Sequence, residues 1–482
     1  MPRPNLPYVP PSSVLIIGSG VFGLSTAHAL ATRPSFSSTK ITLVDRITHI
    51  KDGDMPSTDA ASMDSSRIIR ADYADPTYTR LADEAQAFWR QQGDGELGGG
   101  GRYSESGMLV VGVEGTGGMK YVKESYRNVK ELAEEGGYGE KIVEYGSSEA
   151  VTGFLGTGAK GSGDWGYLNK VSGWANAEKG MAWLLDQVKR TARVEFVGGT
   201  VDSLVWDGEK GEVTGARLAD GTTLGAELVI VAAGAWTGAL VDLRGLCTAT
   251  GQVLGYIDIT EEEQEKLKDM PVVLNLSSGL FIIPPRDRVL KAARHAYGYL
   301  NPVDIPSSKV LQKKVSLDSK EGGELGTMRI SLPRTSADSE PRLPLEAEVD
   351  LRRAIEQFIP ISGLNDRPFS SRRICWYADT PTGDYIADYH PAWKGVFVAT
   401  GGSGHGYKFL PVLGKKIVDC ITGEGSETVR EKWRWRDEGE VTIVDGVESV
   451  VTKDGSRAGY PGMVLDRELE GKGISYPNGN VN

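Results

Sequence analysis

The sequence predicts an α/β fold of the α+β kind, with a parallel-sheet domain assembled from distant segments and a second domain built on an antiparallel sheet. Three observations support this prediction. Apolar runs that stop at glycine occur at residues 14–17, 228–234 and 396–402, as is typical of central parallel strands. A helical pattern follows the first run, which makes a β-α-β start. Residues 250–370 show alternating apolar and polar positions, which favour antiparallel strands.

The N-terminal segment contains the elements of a β-α-β unit in the expected order. Residues 14–17 are strand formers, residues 24–31 have a helical pattern, and residues 41–45 form a second apolar run. A glycine-rich turn, Gly18-Ser19-Gly20-Val21-Phe22-Gly23, joins the first strand to the helix. This order predicts a Rossmann-type dinucleotide-binding domain.

Each glycine of the turn has a separate predicted task. Gly18 allows the tight turn, Gly20 lets the backbone approach a pyrophosphate, and Gly23 lets the helix pack closely on the strand. The helix N-terminus offers N–H groups and a positive dipole end to the phosphates. Asp45 ends the second strand, where its carboxylate can accept hydrogen bonds from ribose hydroxyls. A turn used only for packing and a surface Asp45 are the alternatives, and the motif alone does not choose between NAD and FAD.

The glycine-ended strands at 228–234 and 396–402 make the nucleotide-binding domain discontinuous in sequence. A polar stretch at 307–342 is expected to loop out. Residues 425–482 are charged and rich in turns, and we interpret them as a C-terminal extension that packs on the surface. The predicted boundaries are 1–101, 166–247 and 376–424 for the nucleotide-binding domain, and 102–165 and 248–375 for the substrate domain.

Composition excludes several classes of function. A net charge of −11 argues against nucleic acid as a partner, because such partners need a basic surface. No apolar run approaches the roughly 20 residues that span a bilayer. The N-terminus lacks the apolar core of a secretory signal, and the end is not a Ser-Lys-Leu type address. We therefore expect no membrane and an intracellular, cytoplasmic location, with the peroxisome left open.

The three cysteines, Cys247, Cys375 and Cys420, are too few and too far apart for a disulfide framework or a zinc site. A reducing compartment fits this usage, and no metal is expected. A lone cysteine is most often a small buried core residue. Cys247 and Cys420 lie outside any motif and are interpreted as such structural thiols.

Six segments in chain order resemble the FAD-dependent amine oxidases of the D-amino-acid oxidase superfamily. The resemblance is to monomeric sarcosine, pipecolate or saccharopine, and fructosyl-amino-acid oxidases in particular, and it covers about residues 13–422. The last two segments are the most specific. The six are residues 17–23, 66–70 (SRIIR), 103–109, 233–237, 375–381 (CWYADTP) and 403–409 (SGHGYKF).

The resemblance implies that FAD is the cofactor and that it is covalently attached, through the sulfur of Cys375, to the 8-methyl group of the flavin ring. The loop after the strand at 396–402 is implied to reach the pyrimidine edge of the ring with its backbone N–H groups. The residues assigned to cofactor binding are Gly18, Gly20, Gly23, Asp45, Arg46, Ser66, Cys375, Gly404, His405, Gly406 and Lys408.

Arg70 and Lys408 match, by the same resemblance, an arginine and a lysine that hold the substrate carboxylate. A cation at the edge of an apolar pocket is a suitable donor for a carboxylate. The alternative is that both are solvated surface charges. Arg67 would lie near the flavin ring. Fructosyl-amino-acid oxidases commonly carry lysine and serine at the positions of Arg67 and Arg70, so the two arginines favour sarcosine-like or saccharopine-like substrates.

Lys291 and His295 match a lysine and a histidine that lie over the two faces of the flavin in sarcosine oxidases. The lysine side is where oxygen is reduced, and a cation there stabilises the negative charge that develops. By spacing alone, Lys291 is a surface charge and His295 a core histidine. Tyr377 lines the substrate cavity or is a core aromatic residue. Sarcosine oxidases carry a histidine pair before the residue that matches Arg67, whereas this chain has Ala61-Ser62-Met63-Asp64.

These residues predict a covalent-FAD oxidase of secondary amines, with Lys291, His295, Arg67 and Tyr377 as its catalytic set. The expected partners are O2 and a small amine that carries a carboxylate: an N-methyl, cyclic or saccharopine-like amino acid. Hydride transfer to the flavin would give an imine and, after reaction with O2, hydrogen peroxide. We expect a monomer. The alternatives are a fructosyl-amino-acid oxidase, a flavin dehydrogenase with another acceptor, and a dinucleotide-binding regulatory protein without turnover.

Overall fold

The computed structural model describes residues 8–46, 57–314, 326–335, 342–436 and 439–471. The helices within these ranges are α1 (Val21–Thr32), α2 (Pro76–Trp89), α3 (Gly117–Glu135), α4 (Ser148–Leu155), α5 (Ala177–Arg190), α6 (Glu261–Leu267), α7 (Leu345–Phe358), α8 (Leu410–Thr422), α9 (Glu427–Trp433) and α10 (Leu465–Leu469).

The strands of the described ranges are β1 (Ser13–Ile17), β2 (Lys40–Asp45), β3 (Arg67–Ile69), β4 (Tyr103–Ser104), β5 (Met108–Gly112), β6 (Ile142–Tyr145), β7 (Trp165–Asn169), β8 (Gly173–Ala175), β9 (Val194–Gly198), β10 (Val201–Asp207), β11 (Glu212–Leu218), β12 (Thr223–Gly225), β13 (Leu228–Val231), β14 (Thr248–Asp258), β15 (Val272–Asn275), β16 (Leu280–Arg286), β17 (Val289–Arg294), β18 (Tyr299–Leu300), β19 (Pro302–Pro306), β20 (Thr327–Ser331), β21 (Ser371–Asp379), β22 (Ile386–Tyr389), β23 (Val396–Thr400), β24 (Val441–Val444), β25 (Val447–Val450) and β26 (Met463–Val464).

The first sheet has the strand order β22-β23-β13-β1-β2-β9. All its neighbours are parallel except β22, which pairs antiparallel with β23 at one edge. The central strands are apolar throughout because helices α1, α5 and α8 cover one face and a second apolar cluster covers the other. The three glycine-ended runs predicted as central parallel strands are β1, β13 and β23, so that prediction is confirmed.

The second large sheet has the order β26-β18-β14-β17-β16-β15-β5-β7-β6, and β21 also pairs with β14. Strand β14 pairs antiparallel with both β17 and β21, which confirms the antiparallel pattern predicted for 250–370. The register places Lys291 opposite Tyr256 and Cys375 opposite Gln252. Strand β14 therefore lies between the strands that carry Lys291 and Cys375, and pairing with it brings both residues to the same region of the sheet.

A small three-stranded sheet has the order β3-β8-β4 and begins at Arg67. Strands β7 and β21 both pair within the second sheet, and each crosses one of the predicted domain boundaries. The division into domains stays a prediction. No helix in the described ranges is both long and apolar enough to cross a bilayer.

Two expectations about irregular segments are wrong. The polar stretch at 307–342 is not a loop throughout, because Thr327–Ser331 forms β20 and pairs with β19; residues 315–325 and 336–341 of it lie outside the described residues. The C-terminal extension does not only pack on the surface, because Trp433 and Arg457 are buried and β26 joins the second sheet. Both segments gain their structure from distant partners.

Candidate active site

The glycine turn forms as a strand-to-helix connection in which two glycines are sterically required. Gly18 has φ +103°, in the region that favours glycine, and a Cβ there would lie 2.6 Å from the carbonyl oxygen of Ala232. A Cβ on Gly23 would lie 1.8 Å from the carbonyl oxygen of Gly18. Gly20 differs, since among the described residues only Ser62 Oγ, at 3.7 Å, would come within 4 Å of its Cβ. Gly20 therefore borders open space at the N-terminus of α1.

We expect Gly23→Ala to destabilise the protein by about 3 kcal/mol and to lower its content of bound dinucleotide, because the added methyl group must push two backbone segments apart. Thermal unfolding and the ratio of cofactor to protein absorbance would measure both effects. Gly208→Ala is the matched control, because within the described residues no atom lies within 4 Å of its Cβ position. Equal behaviour of the two variants would contradict the packing role of Gly23.

A cleft of about 340 Å³ runs from this turn toward the second sheet. Asp45 lies beside it and accepts hydrogen bonds from Ser19, at 2.7 Å from the backbone nitrogen and 2.5 Å from Oγ. Arg46 pairs with Asp59 at 2.7 Å, and its guanidinium lies 4.4 Å from the ring centre of Trp236. The cleft thus has polar groups at the turn and an aromatic wall farther along.

A smaller cavity of about 80 Å³ continues from the cleft, with Arg67, Tyr377, Gly404 and Tyr407 lining both. The cavity brings together most of the predicted catalytic and substrate residues. Its polar lining includes Ser66, Arg67, Arg70, Gln252, Lys291, His295, Cys375, Tyr377, His405 and Lys408. Its apolar lining includes Ile68, Leu254, Leu274, Phe281 and Ile283.

A buried ion cluster lies at one side of the cavity. Lys291 Nζ donates to Asp64 Oδ2 at 2.6 Å and to the carbonyl oxygen of Ser66 at 2.8 Å. Arg67 also pairs with Asp64 and places Nη2 at 3.5 Å from Cys375 Sγ. Tyr256 donates its hydroxyl to Asp64 Oδ1 at 2.7 Å. Two cations therefore share one carboxylate directly beside Cys375.

Burial and charge act against each other in this cluster. Burial lowers the pKa of Lys291 to about 8, although the Asp64 charge raises it. Burial by itself would raise the pKa of Asp64, but the charges of Lys291, Arg67 and Arg373 outweigh it and hold that pKa far below its usual range. Asp64 is therefore a carboxylate, and Lys291 is a cation that can lose its proton near neutral pH.

A second pair of buried basic residues, Arg70 and Lys408, also lines the cavity. Within the described part of the chain, Arg70 Nη1 is buried and has no hydrogen-bond partner. Lys408 Nζ donates to the carbonyl oxygen of His405 at 3.1 Å, and it lies 5.2 Å from the ring centre of Tyr73. Burial, and then the charge of Arg70, lower the pKa of Lys408 well below its usual value. The two residues offer donors and the charge of Arg70 to an anion, and a bound anion would raise the pKa of Lys408 again.

His295 and His405 are both neutral, because burial and nearby cations lower the pKa of each well below its usual value. His405 accepts from Tyr73 at Nδ1 (3.0 Å) and donates from Nε2 to the carbonyl oxygen of Gly383 (2.8 Å). These bonds fix the loop at 403–408. Gly404, with φ +69°, leaves room for the Tyr377 ring, which would lie 2.2 Å from a Cβ there.

A family model described as FAD dependent oxidoreductase matches residues 13–420. The chain belongs to this family. It is 34% identical to the amino acid oxidase imqH of Aspergillus flavus over 455 residues, which cover 85% of this chain and 93% of that protein. It is 30% identical to the L-saccharopine oxidase of Schizosaccharomyces pombe, with 88% and 93% covered.

Among solved structures, the fructosamine oxidase Amadoriase II of Aspergillus fumigatus aligns with a TM-score of 0.72 and 26% identity. The alignment covers 94% of this chain and 95% of that one. The predicted family, the predicted fold class and the prediction of an FAD-dependent oxidoreductase are confirmed. The named relatives are oxidases of amino acids or related amines.

The residues of this flavoenzyme fit FAD. Gly20 leaves open space where a pyrophosphate meets the N-terminus of α1, and within the described ranges the buried Ser62 Oγ beside it has no hydrogen-bond partner. The cleft continues from Gly20 and Asp45 to Trp376 and Tyr377, so one elongated dinucleotide can extend along it toward Cys375. Gly18, Gly20, Asp45 and Arg46 would hold the ADP half.

Sequence reasoning missed two residues of this flavoenzyme. The first is Asp64, which enters the sequence analysis only as part of the segment that lacks the histidine pair of sarcosine oxidases. Arg457, from the C-terminal extension, donates to His295 Nε2 and to Asp379 Oδ1, at 2.5 Å each, and lies 5.4 Å from the Tyr377 ring centre. The CWYADTP segment could have pointed to a buried partner for Asp379. No local pattern marks Arg457.

Proposed function

We propose that this flavoenzyme is an oxidase of secondary amines that carry a carboxylate, with FAD joined to Cys375. The observation that supports it most is the buried pair of Arg70 and Lys408, in which Arg70 Nη1 has no hydrogen-bond partner within the described residues. A buried donor without a hydrogen-bond partner is costly, and the nearby charge of Asp72 does not supply one to Nη1. A substrate carboxylate supplies the missing partner, and the bidentate geometry of arginine suits it.

Bound FAD supplies the redox chemistry, taking a hydride equivalent from the carbon next to the substrate nitrogen and passing two electrons to O2. The protein residues orient the reactants. Arg70 and Lys408 fix the carboxylate, and the apolar lining of Leu254, Phe281 and Ile283 keeps water from the reacting carbon. Lys291 places a positive charge on the side of the cavity that Cys375 also lines. The products are an imine, which water hydrolyses, and hydrogen peroxide.

The proposed tether rests on the surroundings of Cys375. Its side chain is buried, lines the cavity, and lies 3.5 Å from the guanidinium of Arg67. A cation beside the sulfur can stabilise the negative charge that develops while a bond to the flavin ring forms. Arg67 is thus placed to assist bond formation to the flavin ring, and Lys291 adds a second positive charge.

We expect the yellow colour to remain with the polypeptide after acid denaturation, and to pass into the supernatant for Cys375→Ala. Absorbance of the pellet and the mass of the intact chain would measure attachment. Cys420→Ala, in α8 and outside both cavities, is the matched control and should keep the colour. Colour in the supernatant of the unaltered protein would contradict the tether.

The oxidase activity itself is tested by peroxide release from a panel of sarcosine, pipecolate, saccharopine, N-methyl aromatic amino acids and fructosyl-valine. Rapid reduction of an artificial dye without peroxide would favour a dehydrogenase instead. The structural similarity to a fructosamine oxidase supports one second candidate, a fructosyl-amino-acid oxidase. Turnover of fructosyl-valine alone would establish that candidate over the first.

We also propose that the enzyme is a monomer in a reducing, intracellular compartment. None of the three cysteines forms a disulfide. The large exposed apolar side chains of the described residues lie on separate segments, apart from Leu345 and Val349 on α7, which are too few to suggest an interface. They are Val9, Phe88, Leu345, Val349, Ile443 and Tyr460. Sedimentation at micromolar concentration would test the first part, and localisation of a tagged protein the second.

A further inference from the structure

The carboxylate of Asp64 is saturated by its own protein. Oδ1 accepts from Tyr256 Oη and from the backbone nitrogen of Ser65, each at 2.7 Å. Oδ2 accepts from Lys291 Nζ at 2.6 Å and from Arg67 Nη1. Both oxygens face protein donors, so neither is free to take a proton from a substrate. Asp64 therefore acts on other residues and not on the reacting atoms.

Loss of this carboxylate would affect Lys291 more than any other residue of the cluster. Its Nζ would keep a neutral carbonyl partner, Ser66, and would face the positive charge of Arg67 without compensation. A buried ammonium with a like charge as its nearest ionic neighbour gives up its proton. A neutral amine cannot stabilise the negative charge that arises when oxygen takes up electrons.

The segment that carries Asp64 is held in place from the strand that carries Cys375. Arg373 donates to the carbonyl oxygens of Thr58, at 2.8 Å, and Ala60, at 3.0 Å, and also to that of Met63. The backbone just before Asp64 is thus fixed to β21. This arrangement locates the carboxylate between Lys291 and Arg67 independently of any substrate.

We propose that Asp64 is a positioning residue that keeps the Lys291 ammonium charged and directed into the cavity, and so sets the pH range in which the reduced enzyme reacts with oxygen. The inference rests on the proposed oxidase function. The ionisable groups that act on Lys291 and Asp64 form one cluster: Arg67 at the start of β3, Tyr256 on β14, and Arg373 and Cys375 on β21. Arg70, His295, His405 and Lys408 also line the cavity.

The test compares Asp64→Asn with wild type in the two half-reactions, measured separately by stopped flow across pH 6–10. As pH rises, the rate of the oxygen reaction should begin to fall at a lower pH in the variant than in wild type. A shift of one pKa unit leaves about tenfold less charged lysine at any pH above both values, so about a tenfold slower reaction is expected there. Anaerobic reduction by substrate should keep its pH profile.

Asp350→Asn is the matched control, because it removes a carboxylate from a buried cation on the same strand. Asp350 pairs with Arg294 at 2.8 Å and does not line the cavity. The control should keep the wild-type pH profile of the oxygen reaction. Tyr256→Phe removes one hydrogen bond to Asp64 without changing its charge, and should shift the profile less than Asp64→Asn.

Thermal unfolding supplies a readout that does not depend on turnover. Lys291 has a lower pKa in the folded protein than when unfolded, so the unfolded chain binds more protons between the two values and stability rises with pH there. Loss of Asp64 extends this window to lower pH. The decrease in unfolding temperature caused by Asp64→Asn should therefore shrink from pH 7 to pH 9, and should not vary with pH in a Lys291→Met background.

An unchanged inflection of the oxygen reaction in Asp64→Asn, or equal slowing of both half-reactions, would overturn the inference. The inference would also be overturned if the effect of Asp64→Asn on the unfolding temperature depended on pH in the Lys291→Met background as it does in the wild type. Failure of the proposed function looks different, because the wild-type reduced enzyme would then not react with oxygen at all. The unfolding comparison would still decide the link between Asp64 and Lys291 in that case.

Discussion

Lys291→Met is expected to lower the rate constant for reaction of the reduced enzyme with oxygen by about 10²–10³-fold, the usual cost of removing one preorganised electrostatic group. Anaerobic reduction by substrate should change little, because the carboxylate site proposed at Arg70 and Lys408 does not include Lys291. In the wild type the oxygen reaction should slow as pH rises through about 8, where Lys291 loses its proton. Stopped-flow mixing with oxygen would measure both effects.

Lys291→Arg serves as the rescue variant. It keeps a positive charge across the whole pH range, since arginine does not lose its proton. It should recover part of the oxygen reaction and remove the inflection near pH 8. An oxygen rate that is unaffected in Lys291→Met, or an inflection that persists in it, would contradict the assignment of this lysine.

Arg70→Met is expected to raise KM for a carboxylate-bearing substrate by about 10²–10³-fold, because truncating one partner of a buried charge pair costs roughly 2–5 kcal/mol. The same substitution removes a buried guanidinium whose Nη1 has no hydrogen-bond partner within the described residues, and should therefore keep or raise the unfolding temperature of the free enzyme. Initial-rate kinetics and thermal unfolding on the same preparations would show the two effects together.

A substrate analogue separates this binding role from a general disturbance of the cavity. With the primary amide of the same amine, the difference in KM between wild type and Arg70→Met should nearly vanish, because the charge that Arg70 recognises is gone. Arg217→Met, an exposed arginine on β11, should leave both substrates unaffected. An equal loss on acid and amide would show that Arg70 only supports the fold.

Much of the fold could be predicted from the sequence because its signals are local. Gly23 is required by a contact within one β-α-β unit. The glycine-ended strands can be recognised as buried from their apolar composition alone. In both cases a short segment contains the physical reason for its structure. Lys291 and Cys375 were assigned differently, through the resemblance to the amine oxidases, since local reasoning alone gives a surface charge and a core thiol.

The missed residues depend on contacts that no short segment contains. Asp64 gains its partners only when β14, β17 and β21 pair and bring Tyr256, Lys291 and Arg373 around one carboxylate. Strand β20 lies in a polar stretch and forms because β19 supplies its hydrogen bonds. Pairing between distant segments outweighs local propensity in both cases.

The position of Arg457 in the chain affects when the cavity can form during synthesis. Its guanidinium donates to His295 and Asp379, and to the carbonyl oxygen of Ser403 at 2.9 Å, so a nascent chain lacks this part of the cavity until residue 457 has been translated. Contacts between such distant positions close late in folding. A chain that still lacks this segment has the glycine turn but not the finished cavity, so any activity that depends on the cavity waits for the segment to be made.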